Sequence, residues 1–454
     1  MLLSHGMREL RQIALDIVDA GLAAIDPYLA VQRTLSLDGS RLRVAERTYD
    51  LDAVRSIYLL GAGKATLRIA EAVVDLLGDR LRGGMVIIPR FQRGDGDGGS
   101  AAIGPIEVWE ADHPLPSEAS MEGARRLLAR AGQAGAGDLV IAAVTGGSSA
   151  LACLPPASVS LEEKRELHRL LLSSGATIAE VNIVRKHVSD IKGGRLALRA
   201  RPAAIVNLTV SDVAGDPEEY ITDLTVQNTS GVDDALEVLR RYRLWDRIAP
   251  SIRNHLAHSE RARLPDLHGM EIQTVMMVTG ETACRAMASR AHELAVESKV
   301  ASTTFEGESH AVGKALARLG IESGRKNPSM PRPYVLLGCG GETTVSLADD
   351  PAIFGLGGPN QETALSAGLA LHAGDQVVIA CLDTDGSDGG GEYAGGIVDG
   401  LTVTRAVAAG VDLAGALAAH RSSAALGALG DLVMTGPTLT NVNDMFVIAV
   451  SAQG

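Results

Sequence analysis

The sequence predicts an α/β protein of two domains, with parallel or mixed sheets flanked by helices. Three observations carry this. At 454 residues the chain exceeds what one hydrophobic core comfortably supports. Short apolar segments recur, each running into a Gly-rich loop and then an amphipathic helix, the pattern of buried strands joined by helical crossovers. The composition, with 51 Gly, 46% hydrophobic and only 3% aromatic residues, suits layers packed with small aliphatic side chains.

The elements follow in order. "SIYLL" runs into "GAGKA" and the helical "TLRIAEAVVDLL". "RGDGDGGS" (93–100) is low in complexity and reads as a surface loop. "DLVIAAV" runs into "TGGSSA". "SLEEKRELHRLLLSSG" begins with a capping box, Ser160 with Glu163 three residues on; Leu167, Leu170 and Leu171 form its apolar stripe and Gly175 can close it. "AAIVNLTV" runs into "SDVAGD", "PYVLLG" into "CGGETT", and "DQVVIA" into "CLDTDGSDGGG". The helical region 232–262 opens the second domain, which places the domains at 1–240 and 241–454. "ESGRKNPSMPRP" (322–333) reads as a connecting loop, and no internal repeat is seen.

The formal charge of −13 disfavours nonspecific binding to nucleic acid or an anionic membrane, while leaving room for a local cationic site. Cys153, Cys284, Cys339 and Cys381 are widely spaced, which predicts buried free thiols rather than disulfides or zinc. No apolar run approaches a membrane span and "MLLSHGMREL" is not a signal peptide, so a cytoplasmic location is expected.

In parallel α/β sheets ligands bind at the carboxyl ends of the strands, where all five Gly-rich loops fall. "GAGKA" places Lys64 after Gly61 and Gly63 at a helix start, where backbone N–H groups and an ammonium attract anions. It is neither a Walker loop nor a dinucleotide fingerprint; an ordinary turn with a surface Lys is the bland alternative. Gly146, Gly147, Ser148 and Ser149 of "TGGSSA" could cradle a phosphate. The same segment resembles a nucleophile elbow, with Ala150 in the last position, which raises a serine hydrolase with Ser148 as nucleophile and His187, His255 or His310 as base. Asp212 and Asp216 of "SDVAGDP", and Asp383, Asp385 and Asp388 of "DTDGSDG", are carboxylates suited to a hard cation such as Mg²⁺ and its phosphate ligand. The second run lacks the Glu at the twelfth position of a calcium loop, and Asp-Gly runs also serve as plain turns. "NIVRKHVSDIKGGRLA" gathers Arg185, Lys186, His187, Lys192 and Arg195 beside a Gly pair that admits a close approach. Together these loops favour phosphoryl transfer.

In order and spacing, "LLGAGKA", "ADHPLPSEAS", "GGSSALACLPP", "VRKHVSDIKGGRLA", "SDVAGDP", "GGETTV", "NQETALSAGLAL", "DTDGSDG" and "GPTLTNVNDMF" resemble the glycerate 2-kinases with a MOFRL-type C-terminal domain. The resemblance spans nearly the whole chain. Some relatives carry the label hydroxypyruvate reductase, yet no nicotinamide fingerprint is present. The resemblance implies a Rossmann-like N-terminal domain, a MOFRL-type α/β C-terminal domain and an active site in the interdomain cleft. It implies transfer of the γ-phosphoryl of ATP, with Mg²⁺, to the 2-hydroxyl of D-glycerate. Lys64 and Asp212 take the catalytic roles, with Asp212 orienting the hydroxyl. Asp216, Asp385 and Asp388 fall to the metal. Substrate and nucleotide contacts fall to Gly61, Gly63, Gly146, Gly147, Ser148, Ser149, Lys192, Arg195, Glu342, Asn360 and Glu362, with Asn441 and Asp444 as weaker candidates. The partners implied are ATP and a small hydroxy acid, without nucleic acid or membrane, and a homodimer is compatible.

Three positions depart from the family pattern. Ser148 stands where a third Gly is usual, "ITDLT" follows "SDVAGD" in place of a Ser-Gly-Pro-Thr segment, and Pro359 of "GLGGPNQE" occupies the place of an Arg that acts with the Lys. These departures point to an altered acceptor pocket. The alternatives are a kinase for a different aldonic or hydroxy acid, or a non-catalytic paralogue that binds nucleotide or acid.

Overall fold

The computed structural model describes residues 2–90, 92, 101–210, 224–326, 333–346 and 357–451. The loop 93–100, Asp212 and Asp216 lie outside the described residues. Two compact units share the chain. One begins at Pro27 and runs to Met277; the other begins at Val278 and takes in the N-terminal segment up to Asp26. The boundary expected from the sequence is 240/241, whereas the compact units divide after Met277. The difference has a packing cause: Val238, Leu239, Ile252 and Leu256 from the 232–262 region share a core with Leu167, Leu170 and Leu171, so those helices complete the first unit rather than open the second.

The first unit carries a small antiparallel sheet of β1 (Leu35–Asp38), β2 (Arg41–Val44) and β3 (Arg47–Asp50). Its main sheet contains β4 (Ile57–Ala62), β5 (Leu81–Pro89), β6 (Ala101–Ile103), β7 (Ile106–Ala111), β8 (Leu139–Val144), β9 (Ala204–Val210) and β10 (Ile272–Val278), in the order β10-β9-β8-β4-β5-β7-β6. Strands β9, β8, β4, β5 and β7 pair in parallel, and β6 pairs antiparallel with β7 at the edge. All six residues of β4 and of β8 are buried, as two-sided coverage by helices requires. The capping box is present: Glu163 N–H donates to Ser160 Oγ and Ser160 N–H donates to Glu163 Oε2. Leu167, Leu170 and Leu171 are buried beneath it.

The second unit holds β11 (Glu297–Ser302), β12 (Gly307–Glu308), β13 (Tyr334–Cys339), β14 (Thr343–Thr344), β15 (Val377–Asp383), β16 (Gly395–Asp399), β17 (Leu432–Val433) and β18 (Asp444–Val450). Its main sheet runs β11-β13-β18-β15-β16-β17 and is mostly antiparallel. The strand-loop-helix pattern alone suggested parallel pairing here. Strand β18, with every residue buried, lies between β13 and β15 and runs against both. The helix Pro359–Ala370 packs on β15 and β16, and Asn360 to Gly368 are all buried. All four cysteines are buried and free, in line with expectation. No described helix is long and apolar enough to cross a membrane.

The N-terminal helix Arg8–Ala24 joins the second unit through a buried charge cluster. Arg11, fully buried, donates from Nε to Asp399 Oδ2 and from Nη1 to Asp431 Oδ1 at 2.9 Å. Arg405 holds the other Asp431 oxygen at 2.8 Å. Removing one partner of a buried charge cluster typically costs about 3–5 kcal/mol, because the remaining charges stay buried and unmatched. Arg11→Ala is therefore expected to lower the unfolding free energy by that amount in urea titration. A loss below about 1 kcal/mol would show that the cluster does not anchor the helix.

Candidate functional site

The side chains with chemical potential fall into two clusters, one in each unit. In the first unit, the loops after β4 and β8 interlock. Lys64 N–H donates to the Gly146 carbonyl at 2.9 Å, and Ala65 N–H donates to Thr145 Oγ1 at 3.2 Å. The glycines of "GAGKA" serve this contact. A Cβ at Gly61 would lie 2.3 Å from the Ala143 carbonyl oxygen, and one at Gly63 would lie 2.0 Å from Thr145 Oγ1. Gly61 and Gly63, expected to admit a ligand, thus admit the neighbouring loop.

Gly147, at φ +85°, sits between the stem of Lys64 and the ring of His113; a Cβ there would meet Lys64 Cγ at 3.3 Å and His113 Cδ2 at 3.2 Å. Ser149 accepts a hydrogen bond from Lys192 Nζ at 2.6 Å, and Lys192 is buried. Lys192 is positioned through its backbone: its N–H and that of Ile191 both donate to Ser189 Oγ. Lys64, His113 and Ser149 thus follow the parallel strands β4, β7 and β8, and Lys192 reaches Ser149 from the segment between the helices Ile178–His187 and Arg195–Ala200, so two ammonium groups are among them. His113 lies in "ADHPLPSEAS", which the sequence reading used for resemblance without assigning the residue a role. Its signal was the motif itself, read too coarsely.

Arg195 takes a different place from the one expected. Its guanidinium donates to the carbonyls of Lys186, Lys192, Arg261 and Arg263, so it ties loops together rather than presenting a fork to a substrate. Within the first unit, Ser148 has no histidine partner among the described residues. His187 is buried between the Ala262 carbonyl and Ser230 Oγ, and His255 Nε2 meets the His187 carbonyl. Neither has a hydrogen bond to Ser148, which is itself buried.

The second cluster surrounds the first turn of the Pro359–Ala370 helix. Asp388 Oδ1 accepts the Asn360 N–H at 2.9 Å, and Oδ2 accepts the Gln361 N–H at 2.8 Å. A carboxylate from another loop thus caps the positive end of this helix. The glycines of "GLGGPNQE" explain the approach: a Cβ at Gly358 would lie 2.3 Å from the Asp388 carboxyl carbon, and one at Gly357 would lie 2.1 Å from Ser422 Oγ. Asn360 Nδ2 then bridges to Asp444 Oδ1 at 2.6 Å, while Asp444 Oδ2 accepts from the N–H and hydroxyl of Thr343. Pro359 fills the first helical position, where a missing N–H costs nothing.

Burial pushes the Asp388 carboxyl up to about 7, opposed by the two backbone donors and reinforced by the nearby Asp444. Asp444 is raised as well, chiefly by burial. Each Asp388 oxygen accepts one backbone N–H of the helix start. Asp383 and Asp385 accept N–H bonds within their own loop, from Asp385 and Ser387. No group of three or more His, Cys, Asp or Glu side chains able to hold a metal occurs among the described residues. A Mg²⁺ carried on nucleotide phosphates needs only one or two protein carboxylates; Asp383 and Asp385 are half-buried carboxylates of the type such an ion takes. Glu362 is buried and pairs with His420 at 2.9 Å, and Glu342 is exposed. Asn441 shapes the turn before β18 by accepting the Asn443 N–H.

A domain of unknown function, DUF4147, matches residues 13–257, and the MOFRL family matches residues 335–444. Two putative hydroxypyruvate reductases of Agrobacterium vitis are 36% and 37% identical, over 97% and 86% of this chain. The glycerate 2-kinase of Pyrococcus horikoshii is 34% identical over 449 residues, 98% of each chain. The D-glycerate 2-kinase of Thermotoga maritima is 35% identical over 439 residues, 96% of this chain and 98% of its own. The crystal structure of glycerate kinase from Thermotoga maritima superposes with a TM-score of 0.82 at 34% identity, covering 98% of this chain and all of that one.

The Asp388 shift has a signed consequence. A raised native pKa means that the folded state holds more protons than the unfolded chain from about pH 4 to about pH 7. Stability therefore falls as pH rises through that window and levels off above it. Asp388→Asn removes this titration. The unfolding free energy of wild type minus variant is expected to drop by on the order of 2–4 kcal/mol between pH 4 and pH 8 in urea titrations. A difference that stays flat with pH would contradict the assignment.

Proposed function

The chain belongs to the glycerate 2-kinase family, and we propose that it transfers the γ-phosphoryl group of ATP to the 2-hydroxyl of D-glycerate. The observation that supports this most is the interlocked pair of loops carrying Lys64, Gly147 and Ser149, in a chain alike over its whole length to glycerate kinases. Phosphoryl transfer asks the protein mainly for positioning and charge neutralisation. Lys64 supplies a point charge to the transferring group, its backbone fixed by the bond to Gly146. Lys192, held against Ser149, supplies the cation for the acceptor carboxylate. His113 faces the same Gly147 and bounds the space available to the acceptor. By the resemblance, Asp212 orients the hydroxyl and accepts its proton. ATP supplies the phosphoryl group, and Mg²⁺, with Asp385 as its protein ligand, screens the phosphate charge.

A second reading concerns the acceptor. Pro359 cannot donate the two parallel hydrogen bonds that the family's Arg could offer a carboxylate or phosphate. It is half-buried at the first helical position. This favours a larger or less charged hydroxy acid over D-glycerate.

Two outcomes test these readings. Lys64→Ala is expected to lower kcat for ADP release about a hundredfold, near 3 kcal/mol, with unchanged circular dichroism, since the backbone bond to Gly146 remains. A kcat within threefold of wild type removes Lys64 from catalysis. Pro359→Arg is expected to raise kcat/KM for D-glycerate relative to the best acceptor in a panel of three- to six-carbon hydroxy acids. If the wild type already reaches about 10⁴ M⁻¹s⁻¹ with D-glycerate and the variant gains nothing, the second reading fails and the first stands.

A further inference from the structure

A cleft of about 810 Å³ opens in the first unit beside the short helix Arg195–Ala200. Neither Lys64, Gly147, Ser149 nor Lys192 lines it. Five arginines do: Arg195, Arg199, Arg201, Arg261 and Arg263, against two carboxylates, Asp190 and Glu260. An excess of three positive charges in one cleft is unusual for a chain whose net charge is −13.

The arginines divide by what they hold. Arg195 donates to the carbonyls of Arg261 and Arg263 at 2.6 and 2.9 Å, and Arg201 donates to the His268 carbonyl at 3.0 Å. These two fasten the 260–268 segment against the helix and set the walls. Arg261 and Arg263 are 72% exposed, and their pairs with Asp190 (3.4 Å) and Glu260 (3.0 Å) are of the kind that contributes little and exchanges readily. Arg199 lies with its guanidinium against Gly132, where a Cβ would approach within 2.8 Å, and no carboxylate pairs with it among the described residues. Three guanidinium groups are thus available to an incoming anion.

The floor is apolar. Leu128, Leu154 and Leu264 line it, together with Leu198, which is 41% exposed. A three-carbon acid would leave this surface uncovered. The volume matches the roughly 300–1,000 Å³ range of small-molecule sites, and guanidinium groups both fork onto phosphate and stack on planar rings.

We propose that this cleft binds a phosphorylated small molecule of nucleotide size, with a planar or apolar body on the leucine floor and its phosphates on Arg199, Arg261 and Arg263. The cleft adjoins the segment of Lys192 through Asp190 and Arg195, but its phosphate-binding arginines, Arg199, Arg261 and Arg263, are not among the residues assigned to catalysis, so the proposal goes beyond the kinase reading.

ADP is the probe, titrated calorimetrically at low ionic strength into wild type and into the double variant Arg199→Glu/Arg263→Glu. The expected result is two ADP per wild-type chain and one per variant chain. The lost site should weaken at least tenfold, with melting temperature unchanged and KM for ATP within twofold. Arg199→Ala alone should weaken the same site severalfold, which guards against a folding defect in the double variant. One ADP per chain in both proteins overturns the proposal. So does loss of a single ADP site accompanied by a tenfold rise in KM for ATP, since the cleft would then be the seat of the reacting nucleotide. A wild type that binds one ADP, lost in the variant, while releasing no ADP from ATP with any hydroxy acid, sinks the kinase reading and keeps the cleft.

Discussion

The contact between Asp388 and the first turn of the Pro359–Ala370 helix organises the second unit. A buried helix start exposes backbone N–H groups that need acceptors. Here both carboxylate oxygens of Asp388 meet them, and the Gly357–Gly358 pair removes the side chains that would block the approach. Asn360 carries the link onward to Asp444 at the start of β18, and Asp444 in turn fixes Thr343 on β14. One buried carboxylate therefore connects the helix, two strands and the "DTDGSDG" loop. Its elevated pKa is the cost of burying that charge, partly offset by the donors it satisfies.

This arrangement changes what a Gly-rich loop means. Such a loop at a helix start commonly receives a ligand's anion, but in this chain the anion is the protein's own. With the helix terminus capped by Asp388, Pro359 adds no cation of its own at this point. The first unit supplies Lys64 and Lys192 instead, each placed by backbone contacts that survive changes to the side chain. In the proposed reaction the neutralising groups are ammonium point charges rather than a bidentate guanidinium fork.

Much of this was legible in the sequence. Strand-loop-helix periodicity located the strands that carry the loops, and the Ser160–Glu163 capping box located a helix. Other features depend on long-range contacts that no local pattern encodes. The 232–262 helices look like a new domain until Leu167 and Leu171 are seen beneath them. Strand β18 lies in a motif read for its Asn and Asp residues, and its pairing with β13 and β15 makes the second sheet mixed. Gly61, Gly63 and Gly358 signalled close approach correctly, but only packing reveals that the approaching group is Ala143, Thr145 or Asp388. The sequence suggests Arg195 as a substrate or nucleotide contact, and its carbonyl partners, up to 68 residues away in the chain, are visible only in the fold.

Phosphorus NMR of the product tests the central functional claim most directly. With ATP, Mg²⁺ and D-glycerate, transfer to the 2-hydroxyl places the phosphorus next to a single C2 proton, and the new phosphomonoester signal is predicted to be a doublet. A triplet, from transfer to the 3-hydroxyl with its two neighbouring protons, would contradict the assigned regiochemistry. No phosphomonoester from any hydroxy acid in the panel would contradict the kinase itself.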